Sequence, residues 1–170
     1  EKQYKVMLQK NNEYAQIILS SAVSKRESWT AYYSVFLQHN TFVLPTCYFT
    51  HDQLGKLQQN ATSATLTKGG YVLTMPREVV YGPHIYGGIA MRVLWGEQLI
   101  HQVQTVMKHI WCSGNCNIML RITFTWAQLS SGMGIYLLEY PGLLVPHLEC
   151  KWMDLMRLGL NNIQGSIQCT

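Results

Sequence analysis

Apolar residues recur at helical spacing along most of this chain. Tyr4, Met7, Leu8, Ala15, Ile18, Leu19 and Ala22 form one stripe, which Asn11 interrupts. Ser24 followed three residues later by Glu27 is a capping box. It opens a second helix with Trp29, Tyr33 and Phe36 on its apolar face, ending near His39-Asn40. Thr50 reads as the cap of a third helix, with Asp52 in the first turn, where the helix dipole favours an anion. Leu54, Leu57, Ala61 and Ala64 line that helix; Lys68 and then Gly69-Gly70 supply its stop.

The pattern then changes. Met75-Pro76, Gly82-Pro83 and Gly87-Gly88 fall within fourteen residues, around the short run Val79-Val80-Tyr81. Each proline removes a backbone donor and pushes the preceding residue out of the helical region, and the glycines open conformations closed to other residues. The expectation is a connector that is neither ordinary helix nor strand. Pro76, Pro83, Gly87 and Gly88 set its path, the glycine pair as a tight turn.

Helical periodicity returns at Leu99, Val103, Val106 and Ile110, the clearest amphipathic stretch. Gly114 breaks it. The next helix carries Ile118, Met119, Leu120, Ile122, Phe124, Trp126 and Leu129, and is apolar nearly all round, which predicts a central place in a core. Tyr136 to Tyr140 reads as extended, and Leu148, Trp152 and Leu155 as a last short helix. The fold class expected is mainly α: a bundle of about six helices with a Pro/Gly-rich connector and little strand. The expected organisation is a helical half over 1–74, the connector over 75–93 and a second helical half over 94–170, together one compact unit. Trp29, Trp126 and Trp152 are the expected packing anchors.

Composition narrows the function classes. A chain of 170 residues that is 48% hydrophobic and only 13% charged has the make-up of a folded domain. The net charge is +4, and eight of the thirteen basic residues precede Gly82, against five of the nine acidic ones. That tilt fits an anionic partner. No apolar run approaches the ~18 residues of a membrane span. An odd number of cysteines, at 47, 112, 116, 150 and 169, argues for reduced thiols and an intracellular setting, cytoplasmic or nuclear. The missing initiator Met and the helical opening lead us to expect a piece of something longer.

Candidate chemistry is sparse. Two-metal phosphoryl-transfer sites need clustered carboxylates. The two aspartates, Asp52 and Asp154, lie far apart, and the seven glutamates are scattered, so no catalytic residue, metal site or cofactor is expected. His109, Cys112 and Cys116, with Cys150 as a fourth ligand, would be a zinc alternative. Their single loose pair lacks the spacing of a structural site, and buried thiols explain them equally well. Lys25, Arg26, Lys56, Lys68 and Arg77, interleaved with Trp29, Tyr32 and Tyr71, read as a phosphate-binding stripe with stacking platforms, or as solvated helix faces around core aromatics.

Three blocks carry a family resemblance: Trp29-Thr30-Ala31-Tyr32-Tyr33 with Leu44-Pro45; MPREVVYGPHIYGGIAMRVLWGEQ from Met75 to Gln98; and LLEYPGLLVPHLECKW from Leu137 to Trp152. In order and spacing they resemble the region just after the catalytic palm in reverse transcriptases of non-LTR-type retrotransposon polyproteins. The resemblance implies a helical thumb and connection that steadies the template-primer duplex, with the metal-binding aspartates in a preceding segment. It therefore implies a non-catalytic fragment of an RNA-directed DNA polymerase, with residues 1–74 thumb-like. Its partners would be the duplex and the rest of the polyprotein, with no membrane. Lys25, Arg26, Lys56, Lys68, Arg77 and Arg92 are the expected nucleic-acid-binding residues. The alternative is a helical interaction module that docks on the missing palm or on itself, without nucleic-acid contact; an exposed contiguous apolar patch would favour it.

Overall fold

The computed structural model describes residues 2–143, 145, 148 and 150–167. Pro146 and Cys169 lie outside the described residues. Among those described, the chain is mainly helical and has no strand. The helices are α1 (Lys2–Ser20), α2 (Lys25–Ala31), α3 (Gln38–Thr41), α4 (His51–Lys68), α5 (Arg77–Tyr81), α6 (Leu94–His109), α7 (Asn115–Ser131) and α8 (Lys151–Asn162). A π-helical turn, Tyr32–Leu37, joins α2 to α3 without a break. Both N-caps close as the local chemistry demands. Ser24 and Glu27 exchange side-chain and backbone bonds at the start of α2, and Thr50 and Gln53 do the same for α4.

The chain divides into two compact units: residues 1–44 with 49–98, and residues 45–48 with 99–170. The boundary thus falls inside α6, after Gln98. Residues 75–93, expected as the seam, lie wholly within the first unit.

In the first unit α1 packs on α4, with Ala15, Ile18 and Ala64 at the contact. Asn11, which breaks the apolar stripe, is buried rather than misplaced. Its Nδ2 donates to Asn40 Oδ1 (3.1 Å) and to the Leu57 carbonyl (3.1 Å), while Asn40 Nδ2 donates back to Asn11 Oδ1 (3.1 Å) and to the Phe36 carbonyl (2.7 Å). One reciprocal amide pair therefore ties α1, α3, α4 and the π turn. Buried polar groups persist only when paired in this way.

The second unit is built on Leu99 and Val106 of α6, Ala127 of α7, and Met153, Met156 and Leu160 of α8, closed by Leu137 and Leu138. Trp152 Nε1 donates to the Pro45 carbonyl (2.9 Å), fastening residues 45–48 to it. The stretch 136–140 is a turn rather than extended chain, with Glu139 N–H bonded to the Tyr136 carbonyl (3.1 Å).

The expectation of a central, enclosed helix at 115–131 is overturned. Leu120, Phe124 and Ala127 of α7 face the core, but Ile118, Met119, Ile122, Trp126 (65% exposed) and Leu129 (72%) face outward. At about 100° per residue these five share one arc of the helix. Trp126 is therefore no packing anchor. Trp152 packs on the second unit's core and Trp29 on Tyr33 and Tyr71.

Candidate nucleic-acid interface

The Pro/Gly segment forms a closed strap. Pro76, with its fixed φ of −55°, caps α5, and its carbonyl accepts from Val79 and Val80 N–H (3.0 and 3.2 Å). A short helix thus forms where none was expected, because the proline stands at its threshold, where a missing donor costs nothing. Gly82-Pro83 ends it, and His84–Tyr86 make a single 3₁₀ turn closed by Gly87 in the left-handed region (φ +79°). Gly88 has a different reason to be glycine. A Cβ built there would lie 2.1 Å from the Gly82 carbonyl oxygen. The chain then returns along α5: Ile89, Ala90 and Met91 N–H donate to the carbonyls of Val79, Gly82 and Val80 (2.8, 2.8 and 2.9 Å). These bonds satisfy carbonyls that the end of a helix leaves bare.

The strap's other side is held by two tyrosines from the π turn. Tyr32 O–H donates to the Arg92 carbonyl (2.8 Å) and Tyr33 O–H to the Ala90 carbonyl (3.2 Å). Gln58 of α4 completes the clasp: its Nε2 donates to the Arg92 carbonyl and to the Tyr32 oxygen (both 2.8 Å), and its Oε1 accepts from Leu94 N–H (2.8 Å) at the start of α6. On an α-helix neighbouring side chains diverge by about 100°. The wider π turn is where this rod departs from that geometry, and two adjacent hydroxyls there reach one strap. Burial raises both phenol pKa values above the ordinary tyrosine value, so both hydroxyls remain donors; at Tyr33 the Arg92 charge opposes that rise.

An open pocket of about 460 Å³ results, lined by Trp29 and Tyr33, by Tyr71 and Met75, and by Val79, His84 and the Gly87–Ile89 backbone. Trp29 and Tyr33 are nearly parallel (23°, centroids 6.3 Å apart), and Tyr71 stands edge-on to Trp29 (85°, 6.3 Å). Lys25 Nζ sits 4.7 Å from the centre of the Tyr71 ring, a cation–π contact.

The six expected phosphate contacts are thus sorted. Lys25 is at the pocket, and Arg92, whose charge reaches Tyr33, lies beside it, 3.6 Å from Glu97. Arg77 is exposed on the first residue of α5, between the pocket residues Met75 and Val79. Arg26 is exposed on α2, and Lys56 is exposed on α4 without being brought to the pocket. Lys68 is tied down within the first unit. It is half-buried, and its Nζ donates to the Ser21 carbonyl (2.8 Å), pinning the end of α4 to the end of α1. Tyr32 is a correction. Fully buried, it cannot stack on a base; its neighbour Tyr33 is half-buried and lines the pocket.

The zinc alternative gains nothing: among the described residues no group of three His, Cys, Asp or Glu side chains could hold a metal ion. Cys112 and Cys116 are exposed, against the reading of buried thiols, and Cys112 Sγ donates to the Lys108 carbonyl (2.9 Å). No described helix is long and apolar enough to cross a membrane. No family model, curated protein or solved structure matches the chain.

Proposed function

We propose that this chain is a non-catalytic, helical accessory segment of a retroelement reverse transcriptase, intracellular, which grips nucleic acid through backbone charges. The observation that carries the reading is the placement of Lys25 and Arg92 beside an open aromatic pocket, with Arg77 on the adjoining helix. The order of the three sequence blocks is what supports the family in this reading. Catalytic metal ions would belong to a preceding palm, the rest of the same polyprotein. The test is fluorescence anisotropy with a labelled primer-template duplex across a salt series. Three phosphate contacts, Lys25, Arg77 and Arg92, predict a loss of roughly fortyfold in affinity between about 50 and 200 mM salt. Absence of binding at the lowest salt would remove the proposal.

One observation favours a second reading, an interaction module. Among the described residues the outward stripe of α7 is an unpartnered apolar face whose only charged neighbour on the helix is Arg121. Beside it the second unit has an apolar groove of about 790 Å³, lined by Val106, Ile110, Phe124, Leu137, Leu138 and Met153 among others. Such faces mark protein contacts. If the stripe self-associates, light scattering should show a dimer that Ile122→Lys returns to monomer. A monomer at all concentrations removes self-association.

A further inference from the structure

We infer that the Trp29–Tyr33–Tyr71 pocket seats one unpaired base of a single-stranded polynucleotide. The inference rests on reading the first unit as a nucleic-acid surface, and it adds that this surface holds a strand's base and not only its phosphates.

The pocket's chemistry selects the ligand. Its aromatic walls, Trp29 and Tyr33 nearly parallel and Tyr71 edge-on to Trp29, offer flat apolar surface that suits a planar ring better than a branched chain. The Gly87-Gly88 backbone lines it as well and adds no side chain to fill it. Met75 adds a polarisable thioether, a favourable neighbour for a π system. An inorganic anion would find few polar groups among these walls. An aromatic heterocycle with an attached phosphate finds both a stacking surface and a cation, Lys25.

His84 supplies a polar contact. Its Nδ1 lies 2.9 Å from the Gly88 carbonyl, which can only accept, so Nδ1 carries the proton of that bond. In the neutral ring Nε2 is then an acceptor, matched to the N–H groups on the pairing edge of a base. A base inside a duplex has both faces stacked and that edge engaged, so the occupant must be unpaired.

The source of the base, a strand or a free nucleotide, is separable. The intact chain is titrated into a labelled 12-nucleotide adenine strand and into a strand of equal length and charge made of abasic sites. The expected result is at least about fivefold weaker binding of the abasic strand, the range that stacking of one base supplies. Trp29→Ala should abolish the difference, and Trp29→Phe, which keeps a ring, should retain it. Adenosine monophosphate is the third arm and should compete only at far higher concentration than the strand. Equal binding of intact and abasic strands would overturn the base pocket and leave the phosphate reading standing. No binding of strand or duplex at low salt would overturn both. Competition by the monophosphate at strand-like concentration would overturn the polynucleotide as ligand.

Discussion

Gly88→Ala is expected to destabilise the first unit by about 3 kcal/mol and to disorganise the strap. The added Cβ would sit 2.1 Å from the Gly82 carbonyl oxygen and 2.8 Å from its Cα, and both are backbone, so no side-chain rotation relieves the overlap. The strap must move off α5 by about 1 Å to restore ordinary contact. That displacement stretches three bonds together, from Ile89, Ala90 and Met91 N–H to the carbonyls of Val79, Gly82 and Val80. At about 1 kcal/mol for each intramolecular hydrogen bond the loss reaches the stated size. Gly87→Ala is the internal contrast. Its Cβ meets open space, and its φ of +79° costs a non-glycine residue only about 1 kcal/mol. Hydrogen exchange reads the difference directly: the amides of 89–91 should lose protection in Gly88→Ala and largely keep it in Gly87→Ala. Equal protection in both variants would mean that the close approach of Gly82 and Gly88 is not what holds the strap. Because these glycines also line the aromatic pocket, Gly88→Ala should weaken strand binding in parallel.

What was legible in the sequence follows the range of the interaction. The capping box of Ser24 and Glu27 and the cap at Thr50 were readable because both partners lie within one turn. The stripe of α6 was readable because periodicity is local. Long-range pairing was not. Lys68 looks like a free terminal cation until Ser21, forty-seven residues earlier, turns out to accept from it. Asn11 reads as a defect in a stripe because its partner, Asn40, sits on another helix. Tyr32 and Tyr33 are indistinguishable as neighbours in sequence, yet the π turn buries the first and leaves the second at the pocket. The apolar girth of α7 was visible, but hydrophobicity says only that a surface prefers to be covered. Which half is covered by this chain depends on where α6 and α8 pack.

Arg157 left no trace in the sequence patterns, and its removal is the second large effect expected. It is 2% exposed on α8, and no carboxylate faces it at salt-bridge distance among the described residues. Its Nε donates to the Leu137 carbonyl (3.1 Å) and its Nη2 to the Leu143 carbonyl, so one planar fork spans both ends of the turn region 137–143. Burial lowers its pKa and Asp154, one turn away on the same helix, works against that fall; a guanidinium stays charged throughout the physiological range. Arg157→Met keeps much of the side chain's length and apolar stem but strips two carbonyls of their donors. Each unsatisfied carbonyl costs about 1–3 kcal/mol, which predicts a loss of about 3 kcal/mol confined to the second unit. Arg157→Lys should recover only part of it, because a point ammonium cannot reproduce the fork. The amides of Glu139, Leu143 and Ile167, bonded to the Tyr136, Tyr140 and Leu138 carbonyls, are the reporters. They should exchange faster in Arg157→Met, with Arg157→Lys intermediate and the strap amides 89–91 unaffected. Since Leu137 and Leu138 close the core of this unit, the same variant should loosen α8 against α6. If those three amides kept their protection in Arg157→Met, the turn region would be held by its own apolar burial, and the buried cation would be dispensable.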